Sequence, residues 1–450
     1  MMDLRLSEAA SAAGGIVFGN VPDDKLRLNG FSIDSRRVQH NDLFVALSGT
    51  QVDGHDFVVQ AASQGASAAL VERRVASDLP QIVVDSAIQA LGAIALYWRT
   101  QLTLKLIGIT GSNGKTTVKE MVASILRRVS PTLATKGNLN NELGVPLTLG
   151  KLDADHRFAV VEMGCGQAGD IRYLADIARP DVGVVTNAGP AHLERLGSIA
   201  GVARTKGELF ERLPNTGVAV INADDDFADD WRERAQHCRQ LLFGQSDAAD
   251  VRDCGDGVDG AIIIDTPNGR VHTTLSMPGQ HNRMNALAAA SVAIALEIPL
   301  DDIAAGLATA KPLPGRLETH TTRAGWTVID DTYNANPASL YAGLKVISER
   351  AEEAWLVLGD MAELGQESEK LHAQMGQAAA DLGVQRLYTV GEFSAAADRA
   401  FGSGAKHFRN HAELTAELIS EIHPKVVCLV KGSRSSAMEN VVHGLIEEAS

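Results

Sequence analysis

Residues 104–129 constrain this chain more than any other stretch. An apolar run from Leu104 to Ile109 has the composition of a buried strand, and Val118, Met121, Val122, Ile125, Leu126 and Val129 then recur at helical spacing. Between them stands Thr110-Gly-Ser-Asn-Gly-Lys-Thr-Thr117. Strand, glycine turn, Lys-Thr and helix in that order give a phosphate-binding loop, with a glycine turn carrying an incidental lysine as the competing reading. Gly111 and Gly114 let backbone N–H groups turn toward an anion, and the positive end of the helix dipole adds to the attraction. Lys115 would reach the outer phosphates of a nucleotide and the Thr116 hydroxyl would ligate magnesium. The loop is a shortened variant: Ile109 stands where the usual early glycine would be, and Gly111 is the nearest substitute.

A chain of 450 residues is too long for one core, so two or three domains are expected. Its hydrophobic content of 45% and charged content of 22% are those of an ordinary globular protein. The net charge of −15 argues against nucleic acid or an anionic membrane as the main partner, and an anionic substrate would need a locally basic or N–H-lined site. Cys165, Cys238, Cys254 and Cys428 are too scattered for a zinc site or a disulfide framework, and a reduced, cytoplasmic setting fits. No apolar run of signal-peptide type follows Arg5. The alanine-rich stretch Asn285–Leu296 is too short to cross a bilayer and reads as a core helix.

Strand and helix patterns alternate along the rest of the chain, which predicts an α/β protein of three domains. Residues 1–84 form a small α/β unit, with strands expected at Phe31–Ile33, Leu43–Leu47, Ala69–Val71 and Ile82–Val84. Residues 85–314 form a central, mainly parallel sheet around the phosphate loop. Lys311-Pro-Leu-Pro-Gly-Arg316 has linker composition, and residues 315–450 form a Rossmann-like sheet with strands at Thr327–Ile329, Trp355–Leu358, Leu387–Val390 and Val426–Val430.

Ligands of such sheets sit beyond the C-terminal ends of the strands, so the polar segments there are the candidates. On spacing alone Asp34–Arg37 and Ser48–Gly54 are surface turns. Asn138, Asn140 and Asn141 either bind a polar ligand or make a turn and helix cap. Glu162 ends the apolar strand Phe158–Glu162, where it would hold magnesium or cap a helix. His192 follows the strand Val182–Thr186; with Glu162 and the phosphate loop at the same sheet edge it allows a two-metal phosphate site. Lys206, on an amphipathic helix, would by itself be read as solvated.

Taken together, Thr110–Thr117, Glu162, His192, Lys206, Asn222-Ala-Asp224, His281-Asn282 and Gly315-Arg316 resemble the Mur ligases, the ATP-dependent amide-forming enzymes of peptidoglycan synthesis. The likeness runs in order through almost the whole chain, and the shortened phosphate loop is a trait of that family. Asp331-Thr-Tyr-Asn-Ala-Asn-Pro337, Leu358–Gly365 and Val430-Lys-Gly-Ser-Arg434 resemble the members that join D-alanyl-D-alanine to a UDP-N-acetylmuramoyl-tripeptide.

The resemblance implies a cytoplasmic, monomeric ligase that uses ATP and two magnesium ions and passes through an acyl phosphate. It implies nucleotide contacts from Gly111, Ser112, Asn113, Gly114, Lys115, Thr116 and Thr117, with Asn282 at the adenine, Arg316 at the phosphates and Asp331 at the ribose. It implies metal contacts from Thr116, Glu162, His192 and a carbamylated Lys206, and catalytic roles for Lys115, Lys206, His192 and Arg316. The first domain would bind the UDP end of the substrate, through Ser35, Arg36 and Thr50. Further substrate contacts fall to Asn138, Asn141, Tyr333, Asn334, Asn336, Lys431, Ser433 and Arg434. Two rival readings are a related amide ligase such as a folylpolyglutamate synthase, and an ATP-binding scaffold that no longer ligates.

Overall fold

The computed structural model describes residues 2–19, 26–50, 52–191, 193–255, 260–277 and 279–447. Three main sheets account for most of it. The first has five strands in the order Ile16–Phe18, Gln81–Val83, Ala68–Val71, Asp42–Val45, Gly30–Ser32, and only the first pairing is antiparallel. Its core, with Leu43, Val45, Leu70 and Ile82, also takes in Leu91, Ile94 and Trp98 from the helix Ala87–Thr100. Ala95 of the same helix packs into the neighbouring core. The helix is thus shared between two bodies, because it is apolar on more than one face.

The second sheet has nine strands, and the phosphate-loop strand lies inside it. We label the elements that build the site: β1 (Lys105–Thr110), α1 (Lys115–Leu126), β2 (Phe158–Glu162), β3 (Val182–Val185), α2 (Ile199–Glu211), β4 (Val218–Asn222) and α3 (Gln280–Ala295). β1 lies between β2 and β3 and is parallel to both, with Ile109 opposite Glu162 and Thr110 opposite Val185. The chain runs outward from β1 in both directions, so its C-terminal end is a topological switch point where a crevice opens. Val118, Met121, Val122, Ile125 and Leu126 of α1 are buried in one core with Leu287, Val292 and Ile294 of α3. Residues Ala286 to Ile294 are all buried, which suits a helix of mostly small side chains inside the domain. Burial of each large apolar side chain contributes about 1.5–3 kcal/mol, so the strand and helix flanking the loop are held firmly.

The third sheet has six strands, all parallel except for the hairpin of Glu318–Thr321 with Thr327–Asp331. We label three of its four inner strands β5 (Thr327–Asp331), β6 (Glu353–Gly359) and β7 (Val426–Lys431). β5 is longer than its apolar residues predict. Asp330 and Asp331 remain in the ladder, because Asp331 pairs in register with Lys431 and so meets its counter-ion. The pattern also gave no sign of the strands Thr132–Ala134 and Arg239–Gly244; the former is short and only half-buried, and the latter opens on polar residues. Among the described residues no helix is long and apolar enough to cross a membrane.

Candidate functional site

Parallel pairing alone brings the ends of β1, β2 and β3 to one edge. Thr110 ends β1, and the loop that follows is held by its neighbours rather than by itself. Asn113 N–H donates to Asn187 Oδ1 at 2.9 Å, and the Asn113 carbonyl accepts from Thr186 Oγ1 at 2.6 Å and Asn187 Nδ2 at 3.1 Å. Ser112 Oγ donates to the Gly189 carbonyl at 3.1 Å. Gly114, with φ +82°, turns the chain into α1, and a Cβ there would lie 2.3 Å from Asn285 Oδ1. The loop therefore needs glycine both for its conformation and for the close approach of α3.

Lys115 folds back over the loop and donates to the Gly111 carbonyl at 2.7 Å. Burial lowers its pKa to about 8, with the nearby Lys206 the next cause. Lys206 is only 2% exposed, and its Nζ lies 3.7 Å from Cys165 Sγ. This corrects the expectation of a solvated lysine: α2 turns Lys206 inward along with Val202, Ala203, Leu209 and Phe210. Burial disfavours its charged form and moves its pKa down.

Glu162 is buried at the end of β2. Its Oε1 accepts from Asn140 Nδ2 at 2.8 Å, and its Oε2 has no hydrogen-bond partner among the described residues. A buried carboxylate oxygen without a donor costs free energy unless a cation answers it. Glu162 and the Thr116 hydroxyl line the same cleft, and oxygen donors of this hardness fit magnesium. His192 lies outside the described residues.

The cleft has a volume of about 2190 Å³ and is walled by the second and third regions of the chain, with Ile88 and Gln89 of the helix Ala87–Thr100 at its rim. It brings together Ser112 to Thr117, Glu162, Lys206, Asn282, Arg316, Asp331, Tyr333, Asn334, Asn336, Lys431, Ser433 and Arg434, as well as Asn138 and Asn141. Arg316 stacks on the Tyr333 ring at 4.1 Å and donates to Thr116 Oγ1 at 2.9 Å. Lys431, 1% exposed, is ion-paired with Asp331 and donates to the Asn334 carbonyl at 3.0 Å. Burial raises the Asp331 pKa against the pull of Lys431 and Arg316. His281, beside them, is brought down to about 4 by burial and then by the Lys431 charge, so it is neutral near pH 7.

Some expected contacts are already occupied within the protein. Asn141 Oδ1 accepts from Gly144 N–H at 2.9 Å, which is the turn-forming role, while its neighbour Asn140 is the one that holds Glu162. Ser433 Oγ donates to the Asp360 carbonyl at 2.7 Å. Ser35, Arg36 and Thr50 do not line the cleft. Ser35 Oγ donates to Gln60 Oε1 at 2.9 Å, and Arg36 lies against Asp34 through two bonds of 2.9 Å. Cys165, Thr186 and Asn285 were not singled out in the sequence as site residues, and Asn140 was flagged only as one of three asparagines.

A phosphate loop at a switch point, an orphaned carboxylate beside it and a second Rossmann-like sheet facing it define a nucleotide-binding α/β protein whose cleft is completed by a separate domain. Residues 27–100 match the Mur ligase family catalytic domain, 109–293 the Mur ligase middle domain and 315–434 the Mur ligase glutamate ligase domain. The UDP-N-acetylmuramoyl-tripeptide–D-alanyl-D-alanine ligase of Escherichia coli (strain K12) is 40% identical, over 98% of this chain and 99% of its own length. The chain belongs to the Mur ligase family. Among solved structures, MurF from Acinetobacter baumannii is 36% identical with a TM-score of 0.94, covering 99% of both chains. MurF ligase from Thermotoga maritima, in complex with ADP, is 28% identical with a TM-score of 0.83, covering 93% of this chain and 97% of its own.

Proposed function

We infer that this chain is an ATP-dependent ligase that joins D-alanyl-D-alanine to UDP-N-acetylmuramoyl-tripeptide, with release of ADP and phosphate. The observation that carries this reading is the domain arrangement at the phosphate loop: Arg316, just before the third sheet, reaches Thr116 at the start of α1 in the central domain. A nucleotide on the loop would thus face a surface belonging to another domain, as joining two substrates requires. The full-length relatives named for this reaction support the same choice over a folylpolyglutamate synthase.

The tripeptide carboxylate takes the γ-phosphoryl group of ATP to give an acyl phosphate. The dipeptide amine attacks its carbonyl, and phosphate leaves. The N–H groups of Gly114 to Thr117 at the start of α1 would bind the phosphates, since those of Ser112 and Asn113 already donate to Asn187, while Lys115 and Arg316 would offset the charge that spreads over the transferring group. Thr116 and Glu162 would hold magnesium, with His192 and a Lys206 carbamate for a second ion; bound magnesium would neutralise phosphoryl oxygens. Asn282 and Asp331 would take the adenine and ribose. In this reading residues 1–84 hold the UDP end through Ser35, Arg36 and Thr50, residues 85–314 hold ATP, and residues 315–450 bring in the dipeptide and exclude water from the acyl phosphate. Tyr333, Asn334 and Arg434 are its nearest candidates for the dipeptide. The enzyme would act in the cytoplasm as a monomer.

The test is phosphate release from ATP and UDP-N-acetylmuramoyl-tripeptide, with and without D-alanyl-D-alanine. Release should depend on the dipeptide; release that ignores it would overturn the assignment. A second measurement concerns Glu162→Gln, which keeps the acceptor for Asn140 and turns the orphaned oxygen into an NH₂. The magnesium needed for half-maximal rate should rise roughly tenfold or more, equivalent to about 1.4 kcal/mol of lost metal binding. An unchanged magnesium requirement would remove Glu162 from the metal site.

A further inference from the structure

Asn336 stands just before the third-domain helix Pro337–Arg350, and the sequence placed it against substrate. The polar atoms of its side chain are used elsewhere. Its Oδ1 accepts from Ser339 N–H at 2.9 Å and caps the helix, while Ser339 Oγ accepts from Asn336 N–H at 3.1 Å. This cap fixes which end of the amide points outward. The NH₂ group faces the phosphate loop and donates to Asn113 Oδ1 at 2.8 Å, across 223 residues of sequence. Asn113 is equally fixed, since its N–H and carbonyl are tied to Thr186 and Asn187 at the end of β3.

We propose that Asn113 and Asn336 form the latch that holds the third domain closed over the phosphate loop. Both are positioning residues for closure, and Asn336 is not a dipeptide ligand. Two rigid pieces meet at this bond: a loop pinned by β3 and a helix start pinned by its capping box. A second polar bridge between the domains, Arg316 to Thr116, uses a hydroxyl with work to do for magnesium and a guanidinium with work to do for phosphate. That bridge must rearrange when nucleotide and metal bind. The Asn113–Asn336 bond uses two side-chain amides that neither hold metal nor carry charge, so it can persist through the reaction. A third-domain loop also rests on the central domain where Gly365 approaches Glu194, but there a Cβ at Gly365 would find its nearest atom 3.6 Å away, an ordinary van der Waals contact.

The kinetic part of this proposal rests on the ligase reading; the structural part does not. Asn336→Ser keeps a helix-capping hydroxyl but is too short to reach Asn113. Asn113→Ala removes the acceptor and leaves the cap untouched. Solution scattering on the full chain with ATP and UDP-N-acetylmuramoyl-tripeptide should give a larger radius of gyration for each variant, and the double variant should be no more open than either single one. The KM for D-alanyl-D-alanine should rise about threefold to tenfold in Asn336→Ser, the range of one neutral hydrogen bond, with an unchanged Tm. The double variant should again equal the singles. A mere capping role, which serine preserves, would leave the radius and the KM of Asn336→Ser at wild-type values. Wild-type radius and wild-type KM in Asn336→Ser, or additive losses in the double variant, would overturn the latch. If the wild type shows no dipeptide-dependent ligation, the ligase reading fails while scattering still decides the latch.

Discussion

Lys206→Ala should lower dipeptide-dependent phosphate release on the order of 10²–10³-fold, the usual cost of removing one fixed charge stabiliser from an active site. The reason lies in how α2 places this side chain. Lys206 is 2% exposed, lines the cleft, and has the weakly polar Cys165 thiol as its partner at 3.7 Å. A lysine kept as a buried cation would be an odd choice beside a site proposed to bind magnesium. Burial instead favours its neutral amine, the form that adds to carbon dioxide. The addition forms an N–C bond and releases one proton, and the product is a carbamate anion. Truncation to alanine leaves room where the proposed carbamate would stand, so acetate or formate should restore part of the activity. Carbon NMR with labelled bicarbonate should detect a carbamate in the wild type and none in the variant. Full activity in Lys206→Ala, or no carbamate signal in the active wild type, would remove the modification from the mechanism.

Gly111→Ala should abolish nucleotide binding, and here the cause is steric. A Cβ at this position would lie 1.8 Å from Thr186 Oγ1, and the backbone φ is +153°, which side chains other than hydrogen rarely adopt. Thr186 cannot simply rotate away, because the same Oγ1 holds the Asn113 carbonyl at 2.6 Å. Either the loop moves out or the bond to β3 breaks, and both disorder the N–H groups that face phosphate. ADP affinity measured by calorimetry should fall at least about 100-fold, close to 3 kcal/mol. Stability should fall by about 1–3 kcal/mol, the range of overpacking, and thermal unfolding without ligand reads this directly. ADP affinity within twofold of wild type would show that the loop does not use this geometry.

The two predictions mark different depths of legibility. Gly111, Lys115 and Thr116 could be read from the chain because a strand, a turn and a helix that are consecutive in sequence are also consecutive in space. Glu162 was legible for a similar reason: an acid ending an apolar strand in a parallel sheet must arrive at the edge where the loop lies. Lys206 was not legible from its own surroundings. Its helix is amphipathic, and only the packing of Phe210 and Leu209 into the core decides that Lys206 points inward. Asn140 and Asn141 were indistinguishable as neighbours in a polar run. The turn takes Asn141 for the Gly144 N–H and leaves Asn140 to meet Glu162.

The third domain shows the same division. Its alternating strands and helices follow from composition, but the extension of β5 through Asp331 depends on a partner 100 residues away: Lys431, brought opposite by parallel register. An aspartate pair at the end of an apolar strand looks like a loop until a buried ammonium answers one of them.

By itself the sequence determined the elements, the α/β class and the phosphate loop, because these depend on local periodicity, on glycine conformation and on groups near one another along the chain. Tertiary structure alone decided which polar groups are spent on the protein and which remain for a ligand. Asn336 is the clearest case. Its motif pointed to substrate, but a cap on one side and Asn113 on the other use both ends of its amide. The hydrogen-bonding capacity of a side chain is finite, and contacts made across hundreds of residues settle how it is used.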